Sequence, residues 1–441
     1  MSTPADTGLD AQSLRDSWSA LTDEERVEAF QILATDEAQD FFVSIAPADQ
    51  AMIIRGLSPG KGAVWMRFLP PDDAADLIQS IAVEERPRFE ALLDAATLEE
   101  IRALLAYAED EAGGLMNPRF ARVRPDVTVD VAIRYLRRQT QNKLATFYYA
   151  YVLDARQRLC GVVSFRELFA ARGDARIDEI MQTKLVSVRE DADQETVARV
   201  IAAENLLAVP VLDAEDRMVG LITLDDIVDV VQEEATEDIQ KLGGVQALEA
   251  PYMHVGFVQM LRKRAGWLSA LFLGEMLTAT AMGRFQNEIE RAVVLAIFVP
   301  LIISSGGNSG SQAATLIVRA LALNEMSLRD WIRVLGRELL SGVALGSWLG
   351  LIGFVRVILW QHLGLFDYGS HYLLVATTVW ASLIGVVCFG TITGSMLPFL
   401  LRRLGFDPAT SSAPFVATLV DVTGLVIYFG VAAMVLHGTL L

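Results

Sequence analysis

Five long apolar segments in the second half of the sequence constrain the fold more than any other feature. Each has about the twenty residues that a helix needs to cross a bilayer. They lie at residues 265–283, 292–323, 338–360, 371–400 and 413–437, and a glycine-rich patch interrupts the second. Residues 261–441 are therefore predicted to form an all-α transmembrane domain with five spans.

The charges are divided unevenly between the two halves of the chain. Residues 265–441 hold nine acidic residues, nine basic residues and no lysine, so the formal net charge of −18 lies in residues 1–264. An acidic half of this kind repels phosphate backbones, which argues against nucleic acid as a partner and favours cations. The two cysteines, Cys160 and Cys388, lie in different halves and form neither a disulfide framework nor a cysteine metal site.

The start of the chain and the positions of the arginines predict the membrane topology. The first twenty residues have no basic start and no apolar run, so we expect no cleavable signal peptide and a cytoplasmic soluble half. With this orientation the cytoplasmic segments carry most of the arginines, as the positive-inside rule requires. They are Arg262, Arg264, Arg319, Arg329, Arg333, Arg337, Arg402 and Arg403. We predict a multi-pass protein of the inner or plasma membrane, surrounded by lipid, with its C-terminus outside.

A twelve-residue repeat occupies the beginning of the chain. Large aliphatic residues recur at Leu21, Leu33, Ile45, Leu57, Leu69, Ile81, Leu93 and Leu105. Each unit reads as a turn signal followed by about two helical turns, with proline and aspartate at the helix starts. Residues 1–115 are predicted to form an all-α superhelical N domain, although a coincidence of leucine-rich helices would give the same spacing.

A second duplication follows. Residues 151–169 align with residues 210–228 at a constant offset of 59, and each copy reads as strand, hairpin turn, strand and helix. With the β run and helix that precede it, each copy has a β-α-β-β-α order. This order resembles the CBS domain, which occurs as a tandem pair and binds adenosine nucleotides or metal ions. We predict an α/β CBS pair at residues 116–180 and 181–232.

Polar residues interrupt the second apolar segment at SSGGNSGSQ, residues 304–312. At membrane depth an unpaired polar group costs several kcal/mol unless it faces protein or water. Gly307 and Asn308 are therefore candidate pore residues. Close packing between helices through glycine and serine is the alternative.

The last apolar segment contains one carboxylate, Asp421. An ionised carboxylate inside a membrane is costly and marks an ion path, a proton relay or a buried pair. Ala413, Ala417, Asp421 and Gly424 share one helix face, so a stripe of small residues surrounds the acid. Such a stripe could line a channel for a hard cation such as Mg²⁺, which keeps most of its waters. The alternative is a buried pair with Arg356.

Acidic residues also cluster elsewhere. Glu275, in the first span, is either a proton-coupling group or a packed protonated carboxyl. In the soluble half the clustered acids are Asp191, Asp193, Glu195, Asp225, Asp226, Asp229, Glu233, Glu234, Glu237 and Asp238, and those from Asp225 onwards share one predicted helix. Like charges one turn apart destabilise a helix unless a cation neutralises them, so bound Mg²⁺ is one interpretation. A solvated acidic face is the other.

Taken together these segments resemble the MgtE magnesium channel/transporter family over nearly the whole chain. The specific pieces are FVPLIISSGGNSGSQAATLIVRALAL, GSMLPFLLRRLGFDPA, PFVATLVDVTGLVIYF and EEATEDIQKLGG. The resemblance implies a homodimer whose pore is lined mainly by the last span, with Asp421 holding hydrated Mg²⁺. It also implies that residues 233–260 form a connecting plug helix, from about Glu234 to Gln259, between the CBS pair and the pore.

The same resemblance implies a set of cytoplasmic Mg²⁺ ligands that lock a closed state. They are Asp193, Glu195, Asp226, Asp229, Glu234, Glu237, Asp238 and the loop acid Asp407. It further implies that ATP binds the CBS pair and tunes this sensing. Three residues depart from the family pattern: Ala413 and Thr391 stand where asparagine is common, and Asn205 stands where an acid is familiar.

The sequence thus predicts a Mg²⁺-selective, Mg²⁺-gated dimeric channel or transporter and no enzyme. No nucleotide-hydrolysis loop is present, and no histidine pair has the spacing of metal ligands. Two alternatives stay open at this stage. One is a divalent-cation or proton-coupled transporter, and the other is a membrane-anchored CBS sensor that transports nothing.

Overall fold

The structure, a computed structural model, describes residues 10–139, 148–248, 252, 255–323 and 325–440. The chain divides into two compact units, residues 1–232 and 233–441. Short helices and two small mixed sheets form the first unit, and long helices form the second. The predicted combination of an all-α N domain, an α/β CBS pair and an all-α transmembrane domain is confirmed.

The first six helices of the N domain begin every twelve residues, from Ala11 to Pro71. Its helices are α1 (Ala11–Ser17), α2 (Asp23–Ile32), α3 (Thr35–Ser44), α4 (Pro47–Gly56), α5 (Pro59–Phe68), α6 (Pro71–Gln79), α7 (Arg86–Glu90), α8 (Ala95–Leu104) and the short α9 (Ala112–Leu115). Helices α2 to α6 start in strict register, and proline occupies the first turn of α4, α5 and α6, where its missing N–H is tolerated.

The repeated aliphatic residues end these helices. Leu33, Ile45, Leu57 and Leu69 are the C-terminal caps of α2 to α5. All four have extended backbone angles, and three are buried while Ile45 is half-buried. Each cap therefore turns the chain and places an apolar side chain in the shared core.

Each CBS copy contains a three-stranded sheet. The elements are β1 (Arg122–Val123), α10 (Val129–Gln139), β2 (Tyr149–Leu153), β3 (Leu159–Ser164), α11 (Phe165–Ala170) and α12 (Ile177–Ile180), then β4 (Val188–Arg189), α13 (Gln194–Glu204), β5 (Ala208–Leu212), β6 (Met218–Thr223) and α14 (Leu224–Leu242). In each sheet the first strand is parallel to the second, and the second is antiparallel to the third.

The two CBS copies share the same local irregularities at the predicted offset of 59 residues. Both hairpins have a register shift at the same place, between Val152 and Leu153 and between Val211 and Leu212. Both turns also contain a residue with φ of 63°, Gln157 in one copy and Asp216 in the other.

The connecting helix differs from its prediction. Helix α14 starts at Leu224 and ends at Leu242, and the next described helix begins at Phe257, so a continuous helix from Glu234 to Gln259 is wrong. Gly243 and Gly244 end it, because Gly244 has φ of +70°, which a side chain would strain. Residues 249–251 and 253–254 lie outside the described residues.

Five helices in the described part of the chain are long and apolar enough to cross a membrane, as predicted. They are α15 (Phe257–Arg284), α17 (Val299–Ala322), α18 (Trp331–His362), α19 (Tyr372–Arg403) and α20 (Ala413–Leu436), with the short α16 (Gln286–Arg291) after the first. Helix α17 continues unbroken through the glycine-rich patch, so the patch does not interrupt the span.

Glycine stripes hold the membrane helices together. On α18, Gly342, Gly346 and Gly350 are buried against α19, where an added Cβ would lie within 3 Å of its backbone or side chains. Such stripes let helix backbones approach closely, which is how membrane helices pack in the absence of a hydrophobic driving force. Helix α15 is the exception: it buries no residue and packs along α20.

Candidate functional site

Helix α17 presents two different faces through its glycine-rich patch. Gly306 and Gly310 are buried, and a Cβ added at Gly310 would lie 2.8 Å from the carbonyl oxygen of Gly390 on α19. This face confirms the close helix packing that the sequence left as an alternative. Gly307 is also buried and lies against Ala417 of α20, so the structure brings these two candidate residues together.

The opposite face of α17 is polar and exposed. Ser304, Asn308, Gln312 and Thr315 follow one another at helical spacing, and all four side chains are exposed on the single chain. We call these four residues the polar stripe. Because the span is too apolar for a soluble helix, the stripe lies at membrane depth, where it must meet water or another protein surface.

Asp421 lies half-buried in the middle of α20. Its carboxylate has no hydrogen bond or ion pair within the part of the chain that the structure describes. Arg356 does not pair with it: the guanidinium carbon lies 4.0 Å from the ring centroid of Trp360 and 5.8 Å from that of Phe298. The alternative of an Asp421–Arg356 pair is therefore not supported in this chain.

Helix α15 runs parallel to α20 and brings a second acid near Asp421. Trp267 Nε1 donates to Ser412 Oγ at 3.3 Å, and the rings of Phe285 and Phe429 stack with centroids 5.0 Å apart. Between these contacts Glu275 comes within electrostatic range of Asp421. Glu275 is itself exposed on the single chain.

The other predicted residues of the last spans have packing contacts. Gly424 is buried, and a Cβ added there would lie 3.1 Å from Val386 of α19. Thr391 is also buried, and its hydroxyl donates to the carbonyl oxygen of Glu338 at 3.2 Å. Ala413 begins α20, and its carbonyl oxygen accepts a hydrogen bond from Ser311 at 3.2 Å.

A cluster of buried acids lies in the first unit. The start of α6 carries Asp72 and Asp73, which come within electrostatic range of Asp226 at the start of α14. Asp72 is only 8% exposed, and its Oδ1 accepts a hydrogen bond from Asn117 Nδ2 at 3.0 Å. Asp226 Oδ2 accepts hydrogen bonds from the backbone N–H and the hydroxyl of Thr223.

The environment of this cluster disfavours negative charge. Burial, together with the charges of Asp73 and Asp226, raises the pKa of Asp72 well above its usual value. Burial and neighbouring acids raise the pKa of Asp73 to about 6. Burial likewise raises the pKa of Asp226 to about 6, although its hydrogen bonds from Thr223 act in the opposite direction. A bound cation would relieve this destabilisation.

Sequence reasoning missed Asp72 and Asp73. In the sequence, the PPDD motif at the start of α6 indicates a helix start and nothing more. Other predicted acids have local roles: Asp193 Oδ1 caps α13 by accepting from the backbone N–H of Glu195 at 2.9 Å, and Glu195 lies 3.9 Å from Arg199.

A third group of acids surrounds the end of α14. Lys241 Nζ lies 2.6 Å from Asp407 Oδ2 and also contacts Glu237. Burial alone would lower the pKa of Lys241, but the hydrogen bonds from its ammonium to Asp407 and Glu237 raise it above its usual value. The structure thus brings Glu237 and Asp407 together, with a lysine between them.

Mg²⁺ suits the oxygen ligands of these groups. Among the described residues no three His, Cys, Asp or Glu side chains converge closely enough to hold a metal ion. A pair of acids such as Asp73 and Asp226 has the ligand chemistry of a Mg²⁺ site, because this ion retains several waters and takes one or two carboxylates directly.

Fold and site together define a membrane transporter with a CBS pair attached. Family models match three parts of the chain: the MgtE divalent cation transporter at residues 299–431, the MgtE intracellular N domain at 9–110, and the CBS domain at 112–174 and 177–233. The chain belongs to the MgtE family, which is a family of transporters and not of enzymes.

Its relatives include named magnesium transporters. The chain is 42% identical to the magnesium transporter MgtE of Thermus thermophilus over 97% of this chain and 93% of that protein. It is 35% identical to the magnesium transporter MgtE of Enterococcus faecalis over 76% of this chain and 71% of that protein. A crystal structure of the cytosolic domain of the Mg²⁺ channel MgtE in complex with ATP matches at 39% identity and a TM-score of 0.47, covering 50% of this chain and 90% of that one.

Proposed function

We propose that the protein is a Mg²⁺-selective channel or transporter, that it works as a homodimer, and that cytoplasmic Mg²⁺ gates it. The observation that carries the proposal is the combination of the polar stripe on α17 with Asp421 on the neighbouring α20. Polar and charged groups at membrane depth mark an ion path, because an inert span has no use for groups that are costly to bury there.

The polar surface that the single chain leaves exposed supports the proposed homodimer. The polar stripe is exposed, and lipid tails offer no hydrogen bonds to Asn308 or Gln312. A second copy would cover the stripe and place two Asp421 carboxylates beside one hydrated path. Surfaces of the spans away from this path face lipid.

Mg²⁺ is the favoured ion for two reasons. Carboxylate and carbonyl oxygens are hard ligands, and a pore with few direct ligands suits an ion that keeps its waters. The relatives from Thermus thermophilus and Enterococcus faecalis are named magnesium transporters.

Ion flux into liposomes that contain the full-length protein tests the function. Mg²⁺, Mn²⁺, Co²⁺ and Ca²⁺ are offered separately, and Mg²⁺ flux is expected to dominate. Asp421→Ala and Asp421→Asn should abolish or severely reduce it, because the first removes the carboxylate and the second removes only its charge. Asp367→Asn, at an exposed acid outside the helices, is the matched control. Wild-type flux in both Asp421 variants would contradict the proposal that Asp421 lines the ion path.

Regulation is proposed to reside in the acids of the soluble half and of α14. Asp226 and Asp229, with Asp72 and Asp73, form one group, and Glu237 with Asp407 forms another. The remaining predicted ligands are Asp193, Glu195, Glu234 and Asp238. ATP is the proposed nucleotide ligand of the CBS pair, and isothermal titration of the full-length protein with ATP tests it.

The placement in the membrane is part of the proposal. Arginines cluster beside the ends of the spans that we assign to the cytoplasm, which puts the N-terminal domains inside and the C-terminus outside in an inner or plasma membrane. The domain limits 1–115, 116–180, 181–232, 233–260 and 261–441 are proposed as the functional parts.

Proton coupling is a second candidate, and the proximity of Glu275 to Asp421 favours it. In that case Glu275→Gln would remove the dependence of Mg²⁺ flux on a pH gradient. The Mg²⁺ flux measured without a pH gradient would be unchanged. Equal flux with and without a pH gradient in the wild type would exclude this candidate.

A further inference from the structure

The last turns of α18 contain an arginine within an apolar span. Arg356 lies six residues before the end of the helix at His362, which is about 9 Å along the helix axis. Its guanidinium carbon lies 4.0 Å from the ring centroid of Trp360, one turn further on, and 5.8 Å from that of Phe298. The faces of both rings attract the positive charge, so they hold the guanidinium in this position.

The guanidinium has no anionic partner in the part of the chain that the structure describes. No hydrogen bond or ion pair joins it to another described residue, although a guanidinium carries five N–H donors. The next acid along the chain, Asp367, has other partners: its Oδ1 accepts from Gln361 Nε2 at 3.0 Å and from the backbone N–H of Gly369 at 2.8 Å. A charge at membrane depth is costly without a partner, so the anion must come from outside these residues.

Aromatic side chains show at what depth Arg356 lies. Phe298 stacks on Tyr368 with ring centroids 5.9 Å apart, and both residues are buried. Tryptophan and tyrosine are enriched where a span meets the lipid headgroups, so Trp360 and Tyr368 mark that boundary. Because the guanidinium lies over Trp360, which is nearer the helix end, the side chain extends toward the headgroups. Arg356 can therefore reach a lipid phosphate.

The surface beside Arg356 on the same helix is apolar and exposed. Ile352, Val355 and Leu359 are each 50–53% exposed, and we call these three residues the lipid face. Within the chain α18 packs mainly on α19, whereas the polar stripe and Asp421 belong to α17 and α20. We therefore assign the lipid face to acyl chains.

We propose that Arg356 and Trp360 form a binding site for an anionic phospholipid, whose phosphate accepts hydrogen bonds from the guanidinium. The fork of N–H donors matches two phosphate oxygens, and the acyl chains lie along the lipid face. Asp367 already has its partners, so it does not attract the ammonium of a zwitterionic headgroup. Because Phe298 directly precedes α17, a lipid bound here also supports the start of the helix that carries the polar stripe.

Native mass spectrometry and thermal unfolding of the purified full-length protein in detergent test the site. Phosphatidylglycerol, phosphatidylcholine and inorganic phosphate are added separately, and phosphatidylglycerol should raise the melting temperature of the wild type most. Arg356→Met should weaken phosphatidylglycerol binding about tenfold, as expected for the loss of hydrogen bonds to a charged group. The control is Arg284→Met, at an exposed arginine that ends α15, and it should bind like the wild type.

Two further measurements separate lost binding from lost folding. Without lipid, R356M should melt at or above the temperature of the wild type, because it removes an unpaired charge from an apolar span. Arg356→Lys keeps the charge without the planar fork, so it should retain only part of the binding.

Four results would overturn the lipid site. They are equal binding of phosphatidylglycerol by the wild type and R356M, equal stabilisation by phosphatidylglycerol and phosphatidylcholine, equal stabilisation by inorganic phosphate, and a smaller dimer fraction of R356M without lipid. The third would identify a free anion as the ligand, and the fourth would place the anion on a second copy of the chain. These measurements need no ion flux, so they are independent of the proposed transport.

Discussion

At the scale of single residues, Asn205 shows how a departure from a family pattern can have a local structural reason. It ends α13 in the left-handed conformation, with φ of 53° and ψ of 46°. Asparagine and aspartate tolerate this conformation better than other residues with side chains, and glycine tolerates it best. The position can therefore exchange asparagine for an acid without strain.

Substitutions at Asn205 separate backbone conformation from charge. Asn205→Ala should lower the free energy of unfolding by about 1 kcal/mol because alanine is strained in this conformation, while Asn205→Gly should match the wild type or exceed it. Thermal unfolding of the purified protein measures both. Equal stability of the alanine and glycine variants would contradict the left-handed backbone conformation at Asn205.

Asn205→Asp probes gating at the same position. The added carboxylate keeps the backbone conformation and supplies one more potential ligand, so the cytoplasmic Mg²⁺ concentration that closes the protein should fall. A flux titration measures it, with N205G as the control that has no ligand. A closing concentration that stays the same or rises in N205D would exclude a sensor role here.

The buried acids predict a pH dependence. In the folded protein the pKa values of Asp73 and Asp226 are about 6, above the ordinary 3.8. At these two carboxyls the folded state therefore binds more protons than the unfolded state between about pH 4 and 6, so their contribution to stability in chelator should fall as pH rises through this window. Asp73→Asn should flatten the fall, and Asp36→Asn, at an exposed acid, should not. The same dependence of the melting temperature on pH in the wild type and in Asp73→Asn would contradict the burial of this acid.

At the scale of elements, sequence reasoning succeeded where the signal was local. The twelve-residue repeat predicted the starts of α2 to α6 because proline, aspartate and the aliphatic caps all lie within one unit. Gly243 and Gly244 indicate the end of α14 at Leu242, but the family resemblance predicts a helix that continues to Gln259. Asp72 and Lys241 were missed because their partners, Asn117 and Asp407, are 45 and 166 residues away along the chain.

The glycines of α17 give a matched pair of substitutions within one helix. Gly310→Ala should destabilise the membrane unit by about 1–3 kcal/mol, because the new Cβ would press on the backbone of Gly390. Gly307→Ala should be tolerated, since its Cβ would lie 3.5 Å from Ala417. Thermal unfolding in detergent compares them. Equal losses for both variants would contradict the packing of α17 against α19.

Helix α14 carries half of the proposed sensor acids. If Mg²⁺ binds them, millimolar Mg²⁺ should protect α14 from proteolysis, because ligands that bind only the folded state stabilise it. Cleavage in Mg²⁺ is compared with cleavage in chelator and in K⁺ of equal ionic strength. Identical cleavage rates in Mg²⁺ and in chelator would show that these acids form a solvated face of the helix and do not bind Mg²⁺.

At the scale of the whole molecule, the chain combines an acidic N-terminal half with a membrane unit that leaves the polar stripe exposed. In the proposed homodimer, two chains that each carry −18 repel one another unless cations lie between them. Loss of cytoplasmic Mg²⁺ would then separate the soluble domains and draw α14 away from the pore. A ligand can shift such an equilibrium only by its differential affinity for the two states, so closure should weaken stepwise as ligands are removed.

The most direct test of this account is flux or single-channel recording across a titration of cytoplasmic Mg²⁺. The variant neutralises Asp226, Asp229, Glu237 and Asp238 together, and the control neutralises the exposed N-domain acids Glu24, Glu28, Asp36 and Glu99. We predict that the wild type and the control close as Mg²⁺ rises, while the quadruple variant stays open at concentrations that silence them. An unchanged closing midpoint in the quadruple variant would show that these acids are not the sensor.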